Sequence, residues 1–158
     1  MTWTQKWNIL AKMPHHKEIG SYIDRTYKVV RKDLINRFKD VGVNITPEQW
    51  VILSKLSEKD MFQTDLANFS FRDKPTVSRI VDLLVQKGLV EKEKDVVDGR
   101  KYHVKITDEG KGVIRKATPA VEASRELGWT ELSEKEYYTL ISILDKVFEN
   151  YTNGEGNE

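Results

Sequence analysis

Cysteine is absent from the 158-residue chain, which excludes a disulfide scaffold, a thiolate metal site and a thiol redox sensor within it. Neither charge sign dominates. With 26 Lys and Arg against 25 Asp and Glu, the chain as a whole does not advertise a polyanionic partner, and any such signal must be local. No apolar run reaches membrane-spanning length, and the N-terminus lacks the roughly 7–15-residue apolar core of a secretory signal. These absences predict a soluble, cytoplasmic protein without a membrane role. Catalytic signatures are missing as well. Neither His-x-x-x-His nor Gly-x-Ser-x-Gly occurs, and the three histidines are scattered. A hydrolase or metal enzyme is a poor reading, and no catalytic residue, metal or cofactor is expected.

What is present is mostly helical periodicity, with no internal repeat and enough length for one real core. Ile19, Ile23, Val30, Leu34 and Phe38 lie on one stripe of a long helix that should end near Gly42. "ITPEQWVILSKL" opens a second helix, with Thr46 as N-cap, Pro47 at the first helical position and Gln49 closing a capping box. "FQTDLANF" (62–69) and "KPTVSRIVDLLVQKG" (74–88) are two more, the latter stopped by Gly88. Residues 107–127 read as helix again, with Pro119 expected to kink or break it. The last helix spans 132–151, capped by Ser133 and Glu136, with an apolar stripe of Leu140, Ile141, Leu144, Val147, Phe148 and Tyr151. Residues 152–158 have nothing to bury and should be disordered.

Between the fourth and fifth of these helices lies "KDVVDGRKYHVKIT" (94–107). Val90 to Lys94 and Tyr102 to Ile106 flank an Asp-Gly turn, and Tyr102, Val104 and Ile106 alternate with His103 and Lys105, which predicts a hairpin with His103 exposed. Helix, helix, helix, hairpin is the order of a winged helix-turn-helix, in which the third helix enters the major groove and the hairpin lies beside it. In the helix from Lys74, Val77, Ile80, Val81 and Leu84 share an inward face. Pro75, Arg79, Asp82 and Gln86 lie opposite, with Thr76 and Ser78 on the flanks. Arginine can bond guanine at two points, and hydroxyls can reach bases or phosphates. Asp82 has two readings, a partner for Arg79 or an acceptor for a cytosine amino group. From Arg72 to Lys105, nine basic residues face six acidic ones, a weak local patch. Arg100 suits the negative minor groove, although a lone turn arginine is more often merely solvated, and Asp98 can brace the turn through backbone N–H groups.

Residues Thr46 to Gly110 resemble the DNA-binding lobe of the MarR family of bacterial transcriptional regulators. "KPTVSRIVDLLVQKGLVEK" is similar to that family's recognition helix and following strand. "DGRKYHVKITDEGK" resembles its wing, with Asp98 and Arg100 as the Asp-x-Arg pair and a Thr-x-x-Gly start to the next helix. The likeness covers roughly 15 to 150. It implies a mainly α fold with a small β-hairpin wing. Residues 45–110 would form the DNA-binding lobe, with 1–44 and 111–151 as dimerisation helices. It further implies a homodimer on a palindromic operator, usually repression, and often release by a small aromatic or phenolic ligand.

On this reading Lys74, Thr76, Ser78, Arg79, Asp98, Arg100 and Lys101 are the DNA-binding candidates. Tyr22, Trp50 and His16 are candidates for an effector pocket where the long first helix meets the lobe. Aromatic residues at helical spacing are more often core, and adjacent His15 and His16 face different ways on a helix, which makes them a poor chelating pair. The missing cysteines argue against the family's peroxide-sensing branch, and the carboxylate-plus-histidine set of its zinc-sensing branch is not apparent. "MTWTQKWNILAKM" extends beyond the usual start, with Trp3, Trp7 and Leu10 at helical spacing. An extra helix at the dimer interface is favoured over a membrane-surface helix. The alternative function is a constitutive winged-helix module that binds DNA or docks a protein without any effector.

Overall fold

The computed structural model describes residues 19–152. The Trp-containing extension, both early histidines and residues 153–158 lie outside that range. Helix α1 (Ile19–Asp40) is followed by α2 (Pro47–Glu58), β1 (Met61–Phe62), α3 (Gln63–Ser70) and α4 (Lys74–Gln86). Strands β2 (Val90–Lys94) and β3 (Tyr102–Ile106) come next, then α5 (Asp108–Gly128) and α6 (Glu134–Thr152). The chain divides into two compact units, one ending at Val121 and the other starting at Glu122. No helix among the described residues is long and apolar enough to cross a membrane.

The helix limits follow local chemistry. Gly42, with φ +69°, lets the chain reverse after α1 so that the Val43 N–H reaches the Phe38 carbonyl at 2.8 Å. At α2 the Thr46 hydroxyl accepts from the Gln49 N–H, and the Gln49 amide oxygen accepts from the Thr46 N–H, both at 3.2 Å. Buried Gln49 also accepts from Lys87 Nζ at 3.0 Å, and the same ammonium donates to the Asn44 carbonyl at 2.8 Å. The start of α2 is thereby tied to the end of α4. In the second unit, Ser133 and Glu136 close the expected capping box of α6.

The first unit holds one core. Phe38 from α1, Ile52, Leu53 and Leu56 from α2, Leu66 from α3, Val77, Val81 and Leu84 from α4 and Val104 from β3 are all sealed from solvent. Each such side chain contributes about 1.5–3 kcal/mol by leaving water. Ala117, Ala120 and Val121 of α5 join the same core, with Leu34 of α1 packed against it, so both flanking helices contribute to the lobe beyond residues 45–110.

Four expectations need correction. Phe62 is not the start of a helix; it belongs with Met61. They form an edge strand, with Met61 opposite Val104 and Phe62 opposite His103, and the sheet order is β1-β3-β2. A two-residue strand has no periodicity, and only its pairing creates it. His103 is accordingly half-buried, its ring 3.8 Å from that of Phe62 and its Nε2 3.4 Å from Asp95. Pro119 does not end α5, which runs on to Gly128. The N–H it lacks would have bonded the carbonyl of exposed Arg115, where water can substitute, and the packing of Ala117, Ala120 and Val121 holds the turn. Finally, Thr152 is not tail but the last residue of α6, its hydroxyl donating to the Phe148 carbonyl at 3.1 Å.

Candidate nucleic-acid interface

Helix α4 combines a sealed back with a solvent-facing front. Val77, Val81 and Leu84 are buried and Ile80 is half-buried, whereas Lys74, Pro75, Arg79, Asp82 and Gln86 are exposed. Sequence reasoning missed its N-cap. Asp73 accepts from the Thr76 N–H and from the Thr76 hydroxyl, both at 2.8 Å. These bonds, the backbone one foremost, hold the Asp73 carboxyl below its ordinary value. The legible signal was an Asp placed two residues before Pro75 at a helix start. The cap has a chemical consequence. With its proton committed to Asp73, the Thr76 hydroxyl offers only lone pairs, so in this rotamer it can accept from a base amino group but cannot donate to a phosphate.

Structure sorts the local charges more sharply than counting does. Within the protein Asp82 pairs not with Arg79 but with Lys92 of β2, at 2.9 Å, and Lys92 also lies 4.7 Å above the Tyr102 ring. Lys105 pairs with Glu93 at 3.2 Å, and Lys87 is spent on the α2 start. Arg72, Lys74, Arg79, Lys94, Arg100 and Lys101 remain without an ion pair to any described residue. Of the acids, Asp82 and Glu93 are taken by lysines, and Asp73, Asp95 and Asp98 accept from backbone N–H groups. The net effect is a set of cations outside ion pairs with described residues, at the front of α4 and along the wing.

The wing is braced from within. Asp98 Oδ1 accepts from the Arg100 N–H at 3.1 Å, as expected, and the Asp98 carbonyl accepts from the Lys101 N–H at 2.8 Å. Asp95 was not anticipated. Its Oδ1 accepts from the N–H groups of Val97 (3.0 Å) and Asp98 (2.7 Å). The Asp98 N–H is the main cause that keeps the Asp95 carboxyl below its ordinary range. Arg100 and Lys101 are exposed at the tip, with the Lys101 ammonium 5.5 Å from the Phe62 ring. The base of the wing explains the Thr-x-x-Gly spacing. Thr107 donates its hydroxyl to the Gly88 carbonyl (2.7 Å) and accepts from the Gly110 N–H (3.0 Å). A Cβ on Gly110 would run into the Leu89 carbonyl oxygen and lie 2.7 Å from Ile106 Cγ1, so only glycine seats α5 against the turn between α4 and β2.

Of the effector-pocket candidates, Trp50 is half-buried and packs against the core, and the Tyr22 ring lies 4.2 Å from the Arg25 guanidinium. His16 lies outside the described residues. The α1–α2 junction is bridged by a trio that sequence reasoning did not single out. Glu48 accepts from Arg31 Nε at 2.8 Å, from Arg31 Nη2 at 3.3 Å and from the Tyr27 hydroxyl at 2.8 Å. Burial alone would raise the Glu48 carboxyl, but the Arg31 bond and its companions outweigh it and bring it down to about 2.

A three-helix turn motif followed by a braced hairpin defines a winged-helix domain. Residues 45–102 match the model of the MarR family. Most of the fold is shared with solved structures that include a MarR-family regulator. Sco3205, a MarR family transcriptional regulator from Streptomyces coelicolor in complex with DNA, is 22% identical with a TM-score of 0.77 over 87% of this chain and 89% of its own. Bordetella bronchiseptica BpsR, whose DNA binding is regulated by 6-hydroxynicotinic acid, is 20% identical with a TM-score of 0.76 over 87% and 97%. The transcriptional regulator BldR from Sulfolobus solfataricus is 25% identical with a TM-score of 0.72 over 88% and 98%. Sco3205 and BldR are transcriptional regulators.

Proposed function

We propose that this protein is a homodimeric repressor that binds a palindromic operator and is released by a small aromatic or phenolic ligand. The observation that carries the DNA reading is the set of exposed cations on α4 and the wing that form no ion pair with a described residue, above a packed back. Lys74 and Ser78 position the helix on phosphates and base edges, Arg79 reads a guanine, and Arg100 enters the adjoining minor groove. Thr76 contributes an acceptor, Asp98 holds the wing turn and Lys101 contacts a phosphate.

The dimer reading rests on exposed apolar surface. Leu140, Ile141 and Tyr151 of α6 and Ile19, Ile23 and Val30 of α1 are exposed in the single chain, and stripes of that kind mark interaction sites. Two copies would then present their α4 helices to half-sites about one turn, roughly 34 Å, apart. Binding of a randomised duplex library tests the proposal. Enrichment of an inverted repeat at that spacing supports it, and no enrichment over bulk DNA defeats it.

For the effector, relatives such as BpsR, regulated by 6-hydroxynicotinic acid, support a ligand-responsive reading with Tyr22, Trp50 and His16 as candidates. The core packing of Trp50 favours the alternative, a constitutive DNA-binding module. A panel of aromatic acids and phenols separates the two. Operator release requires, by linkage, that DNA weaken ligand binding by the same factor, typically about 5–150-fold, and no release by any member favours the constitutive reading.

A further inference from the structure

The wing tip carries a feature that cation placement does not use. Val96 and Val97 are 99% and 96% exposed, the two most open large apolar side chains among the described residues. Exposed valines are ordinary by themselves. Here they sit on a loop whose polar backbone is turned inward. Asp95 Oδ1 accepts from the Val97 and Asp98 N–H groups, Asp98 Oδ1 accepts from the Arg100 N–H, and the Asp95 N–H donates to the Lys101 carbonyl at 2.9 Å. The tip therefore shows its surroundings two isopropyl groups on a pre-ordered support. Valine has a single side-chain torsion, so little rotamer freedom is lost when it is covered.

We propose that Val96 and Val97 form an apolar tip that packs on the deoxyribose walls of the minor groove and discriminates against G·C pairs beneath the wing. The inference rests on the DNA-binding reading and adds specificity-determining residues to it. Charge and continuity with the proposed DNA face favour DNA as the occupant: Lys94, Arg100 and Lys101 outnumber Asp95 and Asp98 by one over residues 94–101. The carboxylates of Asp95 and Asp98 are engaged by backbone N–H groups, whereas Arg100 and Lys101, on the same loop, are exposed cations. Minor-groove walls are C–H surfaces. An A·T floor presents only acceptors there, but each G·C pair adds the guanine 2-amino donor, which a methyl group would desolvate without replacing its hydrogen bond. The preference is thus for absence of that amino group, which differs from an arginine's response to groove width.

The double variant Val96→Thr/Val97→Thr tests this, since threonine keeps the shape and β-branching and replaces one methyl by a hydroxyl on each residue. Its thermal melting should match the parent's, because neither valine packs in the core. Against a duplex library selected with the parent protein, affinity for the best site should fall roughly tenfold for two partly covered side chains. Discrimination between G·C and inosine·C under the wing, a pair differing in the 2-amino group, should shrink. The salt dependence should keep its slope, because no phosphate contact is lost. Binding within twofold of the parent with unchanged base preference would overturn the inference, as would a loss confined to the salt slope. A tip that serves a protein partner would give the first of these results. In either case, weakened binding by Arg79→Ala and Arg100→Ala would leave the DNA-binding reading standing, and its own failure would show as loss of effect in all these variants.

Discussion

Replacing Glu48 by glutamine removes one charge from the junction of α1 and α2 and keeps its shape. Glu48 is 16% exposed and accepts three bonds, two of them from an Arg31 that is 37% exposed. Its carboxyl falls from 4.5 to about 2 in the folded protein. That difference of about 2.5 pH units corresponds to a ceiling of about 3.4 kcal/mol at 1.36 kcal/mol each. Water around Arg31 screens the pair, so about half of that is expected, on the order of 1.5 kcal/mol. Because the folded-state value lies below the unfolded one, the contribution is complete above about pH 4.5 and is lost as pH falls through about 2. Urea unfolding at one fixed protein concentration measures it. Between about pH 6 and pH 3 the parent should lose on the order of 1 kcal/mol more than Glu48→Gln. The variant should already be less stable at pH 6, because Arg31 keeps its burial and loses its counter-charge. Other carboxylates held low, such as Asp73 and Asp95, titrate equally in both proteins and cancel in the comparison. Parallel pH profiles for parent and variant would refute the reasoning.

Arg79→Ala should cost about 1–3 kcal/mol per site and relax preference at one base position, and equal loss on every sequence would exclude direct readout. Arg100→Ala should weaken binding in step with minor-groove width, and Lys101→Ala should weaken it evenly while lowering the salt slope by about one per contact. Gly110→Ala should destabilise by at least about 1–3 kcal/mol through the clash with Leu89 and Ile106, read as a lowered urea midpoint; an unchanged midpoint would mean that α5 can shift at no cost. Sedimentation at micromolar concentration should give a dimer, and a stable monomer there would contradict an interface through α1 and α6.

Features decided within one turn of chain were legible in the sequence. The capping boxes of Thr46 with Gln49 and Ser133 with Glu136 join residues three apart. Gly42 and Gly88 take positive φ where the helices stop, and the spacing of Val77, Val81 and Leu84 puts them on one buried face. The brace from Asp98 to the Arg100 N–H is equally local. What only tertiary structure decided joins residues that the chain keeps apart. Met61 and Phe62 become a strand through pairing with β3, and that strand is what covers His103. Asp82 finds Lys92, ten residues on, and not the Arg79 that helical spacing offers. Arg31 and Glu48 meet across seventeen residues. Pro119 is tolerated because its neighbours Ala117, Ala120 and Val121 are packed. Periodicity and caps report which face a residue takes on its own element, but a partner on another element depends on the distance at which packing sets the two, and no local pattern encodes that distance.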